Sequence, residues 1–425
     1  MKWKVRASKL SGIIPIPPSK SHTIRALLVA TLANGESHLH NVLTTGDGAS
    51  ALAGAKSMGA SVAVDGSAVT VKGIAGDYDA GSENFPMENS GTSTNLFASA
   101  AALGTRIRRF DGDNSLRARP FKPLLNALKH LGVVYSLESQ KSDLPFRITG
   151  PITGGHTTVD GVSSQFLSSL LFSCPCAPND TEINVVNLHE RPYVEMTLRW
   201  LDMLGIRYKK SNDMSKFTIF GNQRYRPIDY TIPGDFSSAT FAAVAAPLTG
   251  SSLVLQGLDF NDSQGDKGVF DIVAAMGATV TKDHSEAIVN GTGRVCGRVM
   301  DLNAMPDSLP ALSVLACVAY GETHIVNVAQ ARIKETDRIS VMTNELLKLG
   351  ANVTERSDGL IIQKSNLVGA EVHGHGDHRV VMALALAGMV AEGETVIDTA
   401  EAAAVTYPTF LEDFKRCGAN IEVMV

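Results

Sequence analysis

Six stretches of the chain are apolar on nearly every side, and between them lie segments whose apolar residues fall on one face. The first kind comprises IRALLVATLA, NLFASAAALG, FLSSLLFS, ATFAAVAAPL, LPALSVLACVAYG and RVVMALALAGMV. A helix that is apolar all round belongs inside a domain. The second kind, such as FKPLLNALKHLG and ISVMTNELLKLG, predicts amphipathic helices outside or between sheets. One ending also recurs along the chain: SMGASVAV, HLGVVYSL, MLGIRYKK, AMGATVTK, KLGANVTE and RCGANIEV. Its glycines are Gly59, Gly132, Gly205, Gly277, Gly350 and Gly418, at near-constant intervals of roughly seventy residues. Each suits the position just past a helix, where glycine takes positive φ at little cost, and the alternation after it predicts a strand.

Six such units predict an α/β chain of two domains with three units each. The crossings are expected at Pro17-Pro18-Ser19-Lys20 and at YTIPG, Tyr230 to Gly234. One domain is then residues 1–19 with 235–425, completed by the strand KWKVRA, and the other is residues 20–234. A ligand is expected in the cleft between them, and such a cleft should close on it.

Composition narrows the function classes. The 425 residues are 44% hydrophobic and 19% charged, enough apolar material for more than one core, and the net charge of −5 gives no basic bias toward nucleic acid. Five cysteines form no framework. Cys174-Pro-Cys176 is too close for a zinc pair and follows an apolar run, which predicts buried thiols in a reducing compartment. MKWKVRASKL lacks a signal-peptide core and no run of ~18 apolar residues occurs, so the expected location is the cytoplasm.

Most of the apolar helices are introduced by a small-polar or charged cluster: Lys20-Ser21, Asn89-Ser90-Gly91-Thr92-Ser93, Ser163-Ser164-Gln165, Gly234-Asp235-Phe236-Ser237-Ser238, Pro306-Asp307-Ser308 and Gly376-Asp377-His378-Arg379. Helix capping alone accounts for much of this pattern, and for GDFSS it is the preferred explanation. Capping does not explain Lys20, Arg25 and Arg379 at the positive ends of buried helices, where cations are unfavourable unless an anion offsets them. Arg117 and Arg119 in DNSLRARP, and Lys334, Glu335, Asp337 and Arg338 in RIKETDR, add further charge. If RIKETDR is helical, Lys334 shares a face with Asp337 and Arg338. The set Lys20, Arg25, Arg119, Lys334, Arg338 and Arg379 suits a small ligand carrying phosphate and carboxylate groups, with Asp307 and Glu335 as the candidate acid–base pair. His373 and His375 in VHGHGDHR are a weaker candidate for metal binding with Asp377 or His378. No GxxxxGK[ST] loop, paired-histidine metal motif or Gly-x-Ser-x-Gly elbow occurs.

PPSKSHTIRALL, NSGTS, GDNSLRARP, SSQF, RPY, PGDFSS, MPDSLP, RIKETDR, DHR and YPTF together resemble the enolpyruvyl transferase family, over essentially the whole chain. The resemblance implies two domains of three βαβαββ units (an inside-out α/β barrel) with helix N-termini directed into the cleft. It implies transfer of the enolpyruvyl group of phosphoenolpyruvate to the 5-hydroxyl of shikimate 3-phosphate, with phosphate released, no metal or organic cofactor, no nucleic-acid or membrane partner, and a monomer. By motif, shikimate 3-phosphate falls to Lys20, Ser21, Arg25, Ser163, Ser164, Gln165, Tyr193, Asp307, Gln330 and Lys334. Phosphoenolpyruvate falls to Lys20, Gly91, Arg119, Gln165, Arg338 and Arg379. Asp307 is implied as the base for the acceptor hydroxyl, and Glu335 and Lys20 as the handlers of the methylene–methyl proton. The relative acting on UDP-N-acetylglucosamine has a cysteine in the loop matching DNSLRARP, and this chain has none there. Three positions depart from the pattern: Asn95 and Val405 where a cation is usual, and Gln330 where asparagine is common. Asn95 and Val405 raise three alternatives: weaker phosphoenolpyruvate binding, compensation by Arg117, or a different hydroxyl acceptor. A second alternative, a non-catalytic or RNA-related member of the same repeat architecture, is disfavoured by the acidic charge and by intact KETDR and DHR.

Overall fold

From Asn84 the chain runs strand Asn84–Pro86, helix Gly91–Ala101, strand Arg108–Asp111, helix Lys122–His130, then strands Val134–Leu137 and Phe146–Thr149. The first two strands pair in parallel, and the last strand inserts antiparallel beside the second. This βαβαββ pattern builds each of six four-stranded sheets in the computed structural model, which describes residues 1–424.

The helices of seven residues or more are, in order, α1 (Lys20–Leu32), α2 (Gly46–Ser57), α3 (Gly91–Ala101), α4 (Lys122–His130), α5 (Ser164–Ser173), α6 (Arg191–Met203), α7 (Phe236–Thr249), α8 (Val269–Met276), α9 (Leu309–Val318), α10 (Arg338–Lys348), α11 (His378–Gly388) and α12 (Phe410–Arg416). The odd-numbered helices are the all-apolar stretches, and nearly every residue in them is buried. The even-numbered ones mostly pair a buried face with a wetter one, as the spacing of their apolar residues requires. All six repeat glycines adopt positive φ, from 69° at Gly205 to 121° at Gly277, and turn the chain from an even-numbered helix toward the next strand.

The chain divides into two compact units, each with its own core. Unit 1 is Met1–Pro17 with Pro233–Val425, and unit 2 is Pro18–Ile232. In unit 1, strand Lys2–Arg6 lies between Glu394–Ile397 and Asn420–Met424, and Ser11–Pro15 runs parallel to Ser252–Gln256. In unit 2, Asp229–Thr231 runs parallel to Glu36–His40, which ties its last strand to its first repeat. Each boundary falls two residues before the one read from sequence. Ser19 caps α1 and so belongs with unit 2. Gly234 N–H donates to Gly257 O and Asp235 N–H to Pro17 O, which fixes that junction in unit 1.

Candidate active site

In unit 2 the chemistry gathers at the N-termini of α1, α3 and α5. Their caps are all serine: Ser19 accepts from His22 N–H, Ser90 from Ser93 N–H and Ser163 from Gln165 N–H. A neutral cap satisfies one N–H but leaves the positive end of the helix dipole uncompensated. Lys20, the first residue of α1, lies 3.3 Å from Asp47 Oδ2, on the first turn of α2. Arg25 is one turn further in and only 2% exposed. Its Nε donates to Thr197 Oγ1 at 3.0 Å, and its guanidinium also reaches Ser21 O, Ser168 Oγ and Tyr193 O. Arg25 therefore clasps α1, α5 and α6 together and places a buried charge beneath Ser21.

Arg119, in the loop before α4, donates to Asn89 Oδ1, and Asn89 Nδ2 in turn donates to Asp113 Oδ2 at 2.8 Å. A Cβ on Gly91 would stand 2.9 Å from Arg119 Nη1, so glycine is what lets that guanidinium lie against the start of α3. Gln165 Oε1 accepts from Asn95 Nδ2 at 2.9 Å, and Ser164 Oγ donates to Glu190 Oε2 at 2.7 Å. Lys20, Gly91, Arg119, Ser163, Ser164 and Gln165 thus sit on or beside the same three helix starts. Arg117 does not join them, because it pairs with Asp111 at 2.9 Å.

In unit 1 the buried helices α7 and α11 have acidic caps, while α9 starts after Ser308 with no side-chain cap. Asp235 accepts from Ser238 N–H at the start of α7, and Asp377 accepts from Arg379 N–H at the start of α11. Arg338, fully buried, holds three carboxylates: Asp377 at 2.8 Å, Asp307 at 2.7 Å and Glu335 at 2.7 Å. Burial opposes its charge, but Asp377, Glu335 and Asp307 outweigh burial and raise its pKa. Burial likewise opposes the Asp377 carboxylate, and Arg338 overcomes it, so Asp377 titrates below its ordinary value. Next to it, burial and the Arg379 charge push His378 down to about 3, so this imidazole is neutral, and its Nε2 is buried without a partner.

Arg379 differs from Arg338. Its Nη2 lies 2.9 Å from Asp307 Oδ2, a charge contact without hydrogen-bond geometry, and its Nε and Nη1 are buried with no partner. Buried polar groups in folded proteins are nearly always satisfied, so a guanidinium with spare donors marks a place for an anion. Gln330 is also buried; its Nε2 donates to Asn303 O while its Oε1 has no partner. Asp307, Glu335, Arg338 and Arg379 are in direct contact as one cluster.

The stretch RIKETDR is not helical where the spacing argument required it. A 3₁₀ turn ends at Ile333, Lys334 is extended, and α10 begins at Arg338. The reason is Asp337, which spends its carboxylate capping Ser340 N–H and accepting from Arg332 Nη1. Lys334 and Arg338 therefore do not share a helix face; the contact within the motif is Glu335 with Arg338. His373 and His375 pair with Asp398 and Glu345, and no metal-binding cluster of His, Cys, Asp and Glu occurs among the described residues. No helix among the described residues is long and apolar enough to cross a membrane.

Four pairings escaped sequence reasoning: Asp47 with Lys20, Asn89 with Arg119, Glu190 with Ser164, and Asp377 with Arg338. Asp47 in GDG and Glu190 in HERPY adjoin helix starts, but nothing local announces their partners.

Residues 5–414 match the model of the family described as EPSP synthase (3-phosphoshikimate 1-carboxyvinyltransferase). The chain is similar to a protein named 3-phosphoshikimate 1-carboxyvinyltransferase from Acetivibrio thermocellus, 49% identical over 421 residues and 99% of each chain. A protein of the same name from Ruminiclostridium cellulolyticum is 47% identical over 424 residues and the whole of both chains. The solved EPSP synthase from Acinetobacter baumannii superposes with a TM-score of 0.83, at 27% identity over both full lengths.

Proposed function

The chain belongs to the EPSP synthase (3-phosphoshikimate 1-carboxyvinyltransferase) family, and from that premise we propose which of its residues carry the reaction. It transfers the enolpyruvyl group of phosphoenolpyruvate to the 5-hydroxyl of shikimate 3-phosphate and releases phosphate. The bond changes fix what is needed. The acceptor hydroxyl loses its proton as its oxygen bonds to C2 of phosphoenolpyruvate, while C3 gains a proton and becomes a methyl group. The C2–O bond to phosphate then breaks, and the methyl group gives a proton back.

Asp307 takes the hydroxyl proton. Its two oxygens face Arg338 and Arg379, which hold the carboxylate in place at 2.7 and 2.9 Å. Glu335, also gripped by Arg338, and Lys20 move the proton at C3. Arg338 and Arg379 in unit 1, and Lys20, Gly91, Arg119 and Gln165 in unit 2, bind phosphoenolpyruvate and stabilise phosphate as it leaves. Ser21, Arg25, Ser163, Ser164, Gln165 and Tyr193 of unit 2, with Lys20, Asp307, Gln330 and Lys334, bind shikimate 3-phosphate. The observation that carries this reading is Arg379: a fully buried cation beside a candidate base, with three guanidinium nitrogens that hydrogen-bond to nothing in the protein. The test is phosphate release from phosphoenolpyruvate with and without shikimate 3-phosphate. Release that depends on the acceptor supports the assignment, and a folded protein that releases none contradicts it.

A further inference from the structure

One side chain at the start of α3 has a job that its own chemistry does not perform on substrate. Asn95 is 3% exposed and sits one turn inside the helix. Its Nδ2 donates twice, to Gly91 O at 2.9 Å and to Gln165 Oε1 at 2.9 Å, while its Oδ1 is buried without a partner. The orientation of this amide is not arbitrary. Turned over, it would press Oδ1 against the Gly91 carbonyl oxygen and forfeit both hydrogen bonds.

The orientation of Asn95 dictates that of Gln165. A Gln amide offers one acceptor and two donors from opposite corners. With Oε1 held by Asn95, the two N–H bonds of Gln165 Nε2 must point elsewhere. A Cβ on Gly91 would meet Arg119 Nη1 at 2.9 Å and Gln165 Oε1 at 3.7 Å, so the guanidinium and the amide converge beside Gly91. An anion there is served by donors; a reversed Gln165 would offer it a lone pair.

We propose that Asn95 is a positioning residue that locks the polarity of the Gln165 amide, so that Gln165 meets the phosphoenolpyruvate anion as a hydrogen-bond donor. The proposal rests on the assignment of Gln165 to phosphoenolpyruvate given above. It also gives position 95 a role without a cation: its contribution reaches the anion through a neutral relay.

Steady-state kinetics of the full-length chain test it, with Asn95→Asp, Asn95→Leu, Asn95→Ser, Gln165→Met and the double variant Asn95→Leu/Gln165→Met. Aspartate can only accept, so Asn95→Asp turns the Gln165 amide over. KM for phosphoenolpyruvate is expected to rise about tenfold or more, with a much smaller change in KM for shikimate 3-phosphate. Asn95→Leu and Asn95→Ser leave the amide unanchored, and a rise of several-fold is expected. Because Asn95 acts through Gln165, Asn95→Leu should add nothing in the Gln165→Met background. The same factor in both backgrounds, or an unchanged KM in Asn95→Asp, overturns the proposal. Should Asn95→Leu fail to fold, Asn95→Ser replaces it in the double variant. An unchanged KM in Gln165→Met would instead defeat the assignment of Gln165 itself.

Discussion

The starts of α1, α3 and α5 in unit 2 are capped by Ser19, Ser90 and Ser163, whereas those of α7 and α11 in unit 1 are capped by Asp235 and Asp377. Serine leaves the positive helix end available, so the face of unit 2 can bind anions with N–H groups, hydroxyls, an amide and the two cations Lys20 and Arg119. Aspartate cancels that end, and unit 1 instead holds Arg338 and Arg379 among Asp307, Glu335 and Asp377. The first arrangement suits recognition, with Lys20 the one group in it that also handles a proton. The second fixes carboxylates beside strong cations, which suits proton transfer next to a leaving phosphate. The difference teaches that repeats of one fold can present opposite electrostatics when the capping residues and the charged residues beside them change.

The sharpest way to break this contrast is Asp307→Ala. It removes the base and its bridge between the two arginines, and kcat is expected to fall by about 10²–10⁴-fold with the circular dichroism spectrum retained. Full activity would remove unit 1 from the chemistry. Asp377→Ala should act mainly on stability. It strips a fully buried arginine of its innermost partner and α11 of its cap, at a cost of about 3–5 kcal/mol read from the midpoint of urea unfolding.

Much of this was legible in the chain. The repeat glycines announced the six units because only a residue tolerant of positive φ ends those helices cheaply, and all six do so. The serine caps were legible because capping is a local event. What failed was everything set by distant partners. Lys20 with Asp47, Ser164 with Glu190 and Arg338 with Asp377 are separated by 26 to 39 residues, and each contact exists only after the repeats pack. RIKETDR misled for a different reason: Asp337 can occupy a helix interior or cap a helix, and only its bond to Ser340 N–H decides.

A gentler test uses acid. The unfolded chain protonates His378 near pH 6.5, but the native imidazole resists until about 3. Its stabilising contribution is complete above 6.5 and is lost as pH falls toward 3, by at most about 1.4 kcal/mol per pH unit. Asp377, with its lowered pKa, adds loss in the same direction below its ordinary value of 3.8. Thermal melts of His378→Gln should lose part of the slope between pH 6 and about 4; an unchanged slope would place the acid sensitivity elsewhere. Arg117→Ala is the smallest expected effect. The side chain is held by Asp111 on the surface, so kcat/KM should stay within a factor of about two. A large loss would show that Arg117 compensates for Asn95 after all.

The part Glu335 plays in proton transfer at C3 is tested most directly by following solvent deuterium into C3 of phosphoenolpyruvate at saturating substrates. Protonation of C3 followed by return of a methyl proton exchanges that hydrogen with solvent. Glu335→Gln should lose the exchange while still binding shikimate 3-phosphate, and Ser164→Ala should bind shikimate 3-phosphate more weakly but retain the exchange once saturated. Undiminished exchange in Glu335→Gln, or its loss in saturated Ser164→Ala, would contradict the account.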